Sequence, residues 1–132
     1  MPMRVLLVDD SRQVQAALRA LLSRSPEVIV VGGAEDCAGA LALIEDRAPD
    51  LVVLDVELAH GDRGYDLLRC IRSRHPWLRV VVLSNFGWEA MRKPFIDAGA
   101  QAYFDKALEF RQAIDWIRER AGAATGSPEG RA

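Results

Sequence analysis

Polar and charged side chains stand at the ends of four apolar runs in this 132-residue chain. They are Asp9 and Asp10, then Asp55, then Ser84, and finally Asp105 with Lys106. Carboxylates that gather in one place repel one another, so protonation or a cation must neutralise part of their charge. Magnesium favours such hard oxygen ligands and is often held by one or two carboxylates together with a phosphoryl oxygen. These residue types therefore predict a magnesium site.

The same residue types are those that phosphoryl transfer requires. The reaction needs a nucleophilic oxygen, a cation on the phosphoryl oxygens and fixed donors to the developing charge. Asp55 is the best candidate for the nucleophile, because it ends the central Leu-Val-Val-Leu run. Only Lys93 and Lys106 are lysines among the 17 basic residues. The compact ammonium of Lys106 suits a phosphoryl oxygen better than a planar guanidinium does.

Alternating apolar patterns predict the elements that must position these side chains. Short β-rich runs alternate with segments of helical periodicity, which favours βα units on a parallel sheet. Ligands of an open parallel sheet bind beyond the carboxyl ends of its strands, so the polar residues should converge there. The predicted strands are Arg4–Val8, Val28–Val31, Leu51–Leu54, Arg79–Leu83 and Gln101–Phe104.

Local signals predict where the elements begin and end. Ser11 is a candidate N-cap for the first helix, and the pair Gly32 and Gly33 predicts a turn after the second strand. Apolar periodicity stops after Arg120. We therefore expect one domain over residues 1–120 and a flexible C-terminal tail over residues 121–132.

Composition narrows the class of protein. A net charge of −2 does not favour direct nucleic-acid binding. No apolar run is long enough for a membrane helix, which requires roughly 20 residues, and no signal peptide is evident. Cys37 and Cys70 have no motif typical of a disulfide framework or a zinc site. The sequence thus predicts a cytoplasmic protein that does not interact with membranes.

Four motifs in this order resemble the receiver domain of bacterial two-component response regulators. They are Val-Asp-Asp-Ser at residues 8–11, Val-Val-Leu-Asp ending at Asp55, Val-Leu-Ser ending at Ser84, and Tyr-Phe-Asp-Lys at residues 103–106. The resemblance covers residues 3 to 120. It implies a doubly wound, flavodoxin-like α/β/α fold whose five parallel strands have the order 2-1-3-4-5.

The resemblance also implies roles for individual residues. Asp55 would accept a phosphoryl group from a histidine kinase, a phosphotransfer protein or a small phosphodonor. Asp10 would ligate Mg²⁺ directly, Asp9 would help through water, and Asp55 and the backbone carbonyl of Glu57 would complete the ligands. The phosphoryl oxygens would contact the hydroxyl of Ser84 and the ammonium of Lys106, while Ser84 and Tyr103 would form the conformational switch.

The implied output is binding rather than catalysis. We expect a stand-alone phosphoacceptor switch, not an enzyme, that signals to an effector or to a second copy of itself. The expected surface is formed by the fourth helix, the fifth strand and the fifth helix, and it carries Trp88, Met91, Arg92, Tyr103 and Arg111.

Two alternatives remain open at this point. One is a phosphorylation-independent interaction module of the same fold, because Ala107 and Asn85 depart from the receiver pattern. The other resembles the magnesium-dependent haloacid dehalogenase-like phosphatases, although here the paired aspartates precede the nucleophile.

Overall fold

The strands and helices alternate along the chain in the computed structural model, which describes residues 1–87 and 89–125. The strands are β1 (Met3–Val8), β2 (Val28–Ala34), β3 (Leu51–Leu54), β4 (Arg79–Ser84) and β5 (Ala102–Asp105). The helices are α1 (Arg12–Leu22), α2 (Cys37–Arg47), α3 (Gly64–Arg74), α4 (Glu89–Asp97) and α5 (Phe110–Thr125), with a short 3-10 turn at Ala59–Gly61. In this part of the chain the strands form one parallel sheet in the order β2-β1-β3-β4-β5, so the predicted fold is confirmed.

The sheet separates two apolar cores. Alternate strand residues point to opposite faces, so each strand contributes to both cores. One face packs against α2, α3 and α4, and the other packs against α1 and α5. The central strand β3 is fully buried, as its unbroken apolar run predicts. This packing on both faces holds the carboxyl ends of the strands in a fixed arrangement.

Strand β2 is longer than the sequence predicts, and the expected turn at Gly32 and Gly33 is wrong. Both glycines pair with β1, and the pairing ends only at Ala34. A Cβ atom at Gly33 would lie 2.0 Å from Oε1 of Gln15. Gln15 donates hydrogen bonds to the backbone carbonyls of Asp9 at 2.8 Å and Ala34 at 3.0 Å. Glycine at position 33 thus leaves room for a side chain that joins the ends of β1 and β2.

Helix α5 also continues further than its apolar periodicity predicts. It ends at Thr125, and Ala121 is completely buried in the core beneath α1 and α5. The expected boundary at residue 120 therefore falls inside a helix. Small residues carry a weak periodic signal, but they pack well where a helix lies close to its neighbours. Residues 126–132 lie outside the described residues, and the division into a domain and a tail stays a prediction.

Helix α1 begins as predicted. The Ser11 hydroxyl accepts a hydrogen bond from the backbone N–H of Val14 at 3.2 Å, which satisfies one of the free donors of the first turn. Helix α4 contains Pro94, which lacks a backbone donor. In the described part of the chain, no helix has the length and apolar character that crossing a membrane requires.

Gly64 provides a test of how closely α3 packs under the sheet edge. A Cβ atom there would lie 2.1 Å from the backbone carbonyl oxygen of Asp55, so the chain itself would have to move. We expect Gly64→Ala to lower the free energy of unfolding by about 1–3 kcal/mol, the usual cost of overpacking. Urea denaturation measures this change. Gly122→Ala in α5 is the matched control, because its nearest neighbour is Oε2 of Glu27 at 3.5 Å. It should stabilise the protein by about 0.5 kcal/mol, and equal destabilisation by both variants would contradict the prediction.

Candidate functional site

The register of the sheet brings the predicted site residues to one edge. Val8 pairs with Leu54, so Asp9 and Asp55 leave adjacent strands side by side. The backbone N–H of Asp55 donates to the carbonyl of Val8 at 2.9 Å, which extends this pairing by one residue. Ser84 is the last residue of β4 and pairs with the last residue of β5. The convergence of these side chains follows from parallel strands that end at the same level.

Three carboxylates form the centre of the site. Asp9, Asp10 and Asp55 each place one oxygen within 4.8 Å of the others. Asp9 and Asp55 are buried, whereas Asp10 is exposed. Oδ1 of Asp9 accepts a hydrogen bond from the backbone N–H of Ser11 at 2.8 Å, and Oδ1 of Asp55 accepts one from Val56 at 2.8 Å. This all-oxygen donor set, open to solvent at Asp10, fits a hard divalent cation such as Mg²⁺.

Lys106 neutralises part of this negative charge. Its Nζ lies 2.9 Å from Oδ2 of Asp9 and 3.3 Å from Oδ2 of Asp55. Its backbone N–H donates to the carbonyl of Ser84 at 2.6 Å, which fixes the start of the loop after β5. Burial disfavours the ammonium, but the hydrogen bond to Asp9 and the charges of both aspartates outweigh it and raise the pKa of Lys106. Lys106 therefore stays charged.

The surroundings of Asp55 disfavour the ionisation of its carboxyl group. Burial is the main cause, and the negative charge of Asp9 adds to it. Lys106 and the Val56 N–H oppose these effects, and the net result raises the pKa of Asp55 from 3.8 to about 6. Near neutral pH the side chain is still mainly ionised. Its raised pKa makes it a stronger base than an ordinary carboxylate.

Ser84 and Tyr103 lie next to each other behind the carboxylates. Ser84 is completely buried, and its hydroxyl accepts a hydrogen bond from the backbone N–H of Phe86 at 2.9 Å. The Tyr103 hydroxyl donates a hydrogen bond to the carbonyl of Phe86, the same residue whose backbone N–H donates to Ser84. Burial raises the pKa of the Tyr103 hydroxyl. Only 1% of Tyr103 is exposed, so its expected place on the outer surface is wrong for this conformation.

The remaining predicted residues lie around this centre. Glu57 follows Asp55 by two residues and pairs with Arg63 in an isolated antiparallel bridge, which orders the backbone of the loop. On the expected signalling surface, Met91 and Arg92 are half-buried and Arg111 is exposed. The prediction for Trp88 lies outside the described residues.

The sequence reasoning missed two side chains that support the site. Gln15 joins the ends of β1 and β2, and nothing in its sequence position distinguishes it from other polar residues of α1. Glu109 accepts a hydrogen bond from the backbone N–H of Asp105 at 2.8 Å. The one sequence feature that could have pointed to Glu109 is its position one residue before α5.

These features define a receiver domain, and the chain belongs to the response regulator receiver domain family. The model of that family matches residues 5–118. Phosphorylation on aspartate and the binding of Mg²⁺ are general features of this family. The family assignment decides against a haloacid dehalogenase-like phosphatase.

Known proteins similar to this chain have more than one kind of activity. The DNA-binding transcriptional activator DevR/DosR of Mycobacterium tuberculosis is 39% identical over 106 residues, which cover 80% of this chain and 48% of that protein. A protein-glutamate methylesterase/protein-glutamine glutaminase of Rhodopseudomonas palustris is 36% identical over 114 residues, which cover 84% of this chain and 31% of that protein. The chain thus spans about half or less of these two relatives. Among solved structures, the response regulator domain of Thermotoga maritima CheB has a TM-score of 0.81 at 28% identity and covers 96% of this chain and 98% of that one.

The raised pKa of Asp55 makes the stability of the metal-free protein depend on pH. The folded state holds the Asp55 proton more tightly than the unfolded state, so the contribution of Asp55 to stability should fall as the pH rises from 3.8 to about 6. Asp55→Asn cannot ionise, and we expect it to be more stable than the wild type by about 2–3 kcal/mol near neutral pH, since one pKa unit corresponds to about 1.4 kcal/mol. The difference should disappear by about pH 4. Urea denaturation in EDTA across this range measures both values.

Asp66→Asn is the matched control for this experiment. Asp66 is an exposed carboxylate on α3 that lies 3.4 Å from Nε of Arg63. Its replacement should change stability by less than about 0.5 kcal/mol at every pH. A constant gap between wild type and Asp55→Asn from acid to neutral pH would contradict the prediction.

Proposed function

We propose that this chain accepts a phosphoryl group on Asp55 and works as a switch rather than as an enzyme. The donor is a histidine kinase or a histidine phosphotransfer protein, or a small phosphodonor in their absence. The observation that carries the proposal is the position of Lys106, whose ammonium touches Asp9 and Asp55 at the edge of a three-carboxylate cluster. An anion that arrives at Asp55 meets this fixed positive charge.

The proposed reaction is a substitution at phosphorus. One carboxylate oxygen of Asp55 forms the new bond to phosphorus while the bond from phosphorus to the donor breaks, and the donor leaves with that electron pair. Asp55 must be ionised to attack, and its pKa of about 6 leaves it mainly so near neutral pH. Lys106 lies 3.3 Å from this carboxylate and is positioned to pair with a phosphoryl oxygen. The buried Ser84 hydroxyl is the proposed neutral donor on the other side.

Asp9, Asp10, Asp55 and the backbone carbonyl of Glu57 are the proposed holders of Mg²⁺. When bound, the ion supplies positive charge that neutralises the phosphoryl oxygens and the carboxylates together. Lys106 alone provides one positive charge against three carboxylates. This imbalance supports a requirement for a divalent cation.

The proposed output surface is formed by α4, β5 and α5. Tyr103 lies beneath it, and the hydroxyls of Ser84 and Tyr103 are both hydrogen-bonded to the backbone of Phe86, so a change at Ser84 reaches this surface through one residue. An effector protein or a second copy of the chain is the proposed partner. We expect the protein to work in the cytoplasm without direct contact with nucleic acid or membrane, and its stand-alone role stays a prediction.

Incubation with acetyl phosphate and Mg²⁺ should add one phosphoryl group to the wild type. Intact-mass spectrometry measures the adduct. Asp55→Asn should show none, and EDTA should prevent the reaction because the cation balances the charge of the cluster. Asp66→Asn should react like the wild type, since Asp66 lies on the exposed side of α3.

The outcomes separate the remaining candidates. An adduct on the wild type that persists in Asp55→Asn would contradict the proposed acceptor. A wild type that forms no adduct and binds neither Mg²⁺ nor beryllofluoride would favour the phosphorylation-independent interaction module.

Mg²⁺ itself should stabilise the folded protein, because the unfolded chain does not hold the carboxylates together. We expect the melting temperature to rise with Mg²⁺ concentration. Asp10→Asn should lose most of this increase, because it removes a carboxylate of the cluster. Asp46→Asn is the control, since this carboxylate is 71% exposed on α2 and pairs with Arg47. The same increase in all three proteins would show that the ion binds elsewhere.

A further inference from the structure

Arg92 on α4 contacts Tyr103 in two ways. Its Nη1 donates a hydrogen bond to the backbone carbonyl of Tyr103 at 2.7 Å. Its guanidinium also lies over the Tyr103 ring, 5.4 Å from the centroid, which is within the range of a cation–π contact. One side chain therefore holds both the backbone and the ring of the residue that lies behind Ser84.

Arg92 also reaches the loop that carries Lys106. Its Nη2 lies 3.4 Å from Oε1 of Glu109, just before α5. The same oxygen accepts the hydrogen bond from the backbone N–H of Asp105 at 2.8 Å. Asp105 is the residue before Lys106, so a continuous set of polar contacts joins α4, β5 and the start of α5.

The position of β5 explains why this contact matters. It is an edge strand, so within residues 1–87 and 89–125 no further strand pairs with the backbone groups on its outer side. Arg92 supplies a donor to the Tyr103 carbonyl on this strand. The Tyr103 ring is 1% exposed and packs 5.6 Å from the Phe95 ring, so its burial depends on α4 lying close to β5. Arg92 on α4 joins the two elements through its hydrogen bond and its cation–π contact with Tyr103 on β5.

We propose that Arg92 is a positioning residue that holds Tyr103 in its buried position and thereby sets the balance between the buried and exposed positions of this ring. The planar guanidinium is needed, because its Nη1 contacts the Tyr103 carbonyl and its Nη2 contacts Glu109 while its face covers the Tyr103 ring. The expected effect of Arg92 on phosphoryl-analogue binding at Asp55 rests on the proposed function. The expected effect of Arg92 on the position of the Tyr103 ring does not.

Fluorine NMR tests the effect on Tyr103 directly. The chain contains two tyrosines, Tyr65 and Tyr103, so labelling with 3-fluorotyrosine gives two resonances and Tyr65→Phe assigns them. The chemical shift and the H₂O-to-D₂O isotope shift report how exposed the Tyr103 ring is. We expect Arg92→Ala to move the buried-to-exposed ratio about two- to fivefold toward the exposed position, the factor for the cation–π contact that the buried ring makes with Arg92.

Two further variants control for charge and for general damage to α4. Lys93→Ala removes the neighbouring cation, which is 70% exposed and pairs with Asp97 at 3.0 Å, and it should leave the Tyr103 resonance unchanged. Arg92→Lys keeps the charge but not the fork, and it should resemble Arg92→Ala. A Tyr103 resonance that stays at its wild-type position in both Arg92 variants would overturn the proposal. If Arg92→Ala does not fold, Arg92→Lys decides alone in the same way.

Beryllofluoride in the same samples links the result to Asp55. This phosphoryl analogue has its own fluorine resonance when bound with Mg²⁺. In Arg92→Ala its apparent affinity should fall by the factor by which the fraction of molecules with buried Tyr103 falls, and the Tyr103 resonance measures that fraction in the same sample. Unchanged affinity together with a displaced Tyr103 would overturn the coupling to Asp55. Absence of the bound resonance in the wild type would count against the proposed function, whereas the Tyr103 resonance still decides the role of Arg92.

Discussion

The placement of three carboxylates at one edge of a parallel sheet is the constraint on which the rest of the structure depends. The sheet register aligns Asp9 with Asp55, and burial then makes the charges of both costly. Lys106 offsets this cost, because its Nζ lies 2.9 Å from Asp9 and 3.3 Å from Asp55. The ammonium comes from the last βα connection and the carboxylates from the first and third. Strands β1, β3, β4 and β5 must therefore be paired before Lys106 can reach Asp9 and Asp55.

The rigid sheet and the residues around the carboxyl ends of its strands, here called the rim, have different roles. Apolar packing on both faces fixes the carboxyl ends of the strands, so Asp55 and Ser84 start from backbone that cannot shift easily. The rim is held instead by individual hydrogen bonds, such as those of Tyr103 with Phe86 and of Glu109 with Asp105. A change of charge at the carboxylates acts more readily on these polar contacts than on the core. This difference suits the proposed switch, because the polar contacts can change while the core stays intact.

Much of the fold was predictable because its elements carry large apolar residues at regular spacing. The sequence marked β3 correctly at both ends, and the helical spacing of Leu67, Leu68 and Ile71 coincides with the buried face of α3. The errors fall where small residues occur. Gly32 and Gly33 belong to β2 and pair with β1, and Ala121 in α5 is buried. Neither segment shows apolar periodicity. Backbone pairing and close helix packing depend on neighbours that are distant along the chain.

The sequence by itself determined the chemistry available to this protein: which strand ends carry carboxylates, where the hydroxyl and the ammonium stand, and the motifs that resemble the receiver family. Only the tertiary structure decided how these groups act on one another. Lys106 and Asp9 are 97 residues apart in the chain, and their contact is created by the fold. The raised pKa of Asp55 and the contact of Arg92 with Tyr103 have the same origin. Desolvation and hydrogen bonding depend on the distances between atoms, and for side chains on different elements only packing sets those distances.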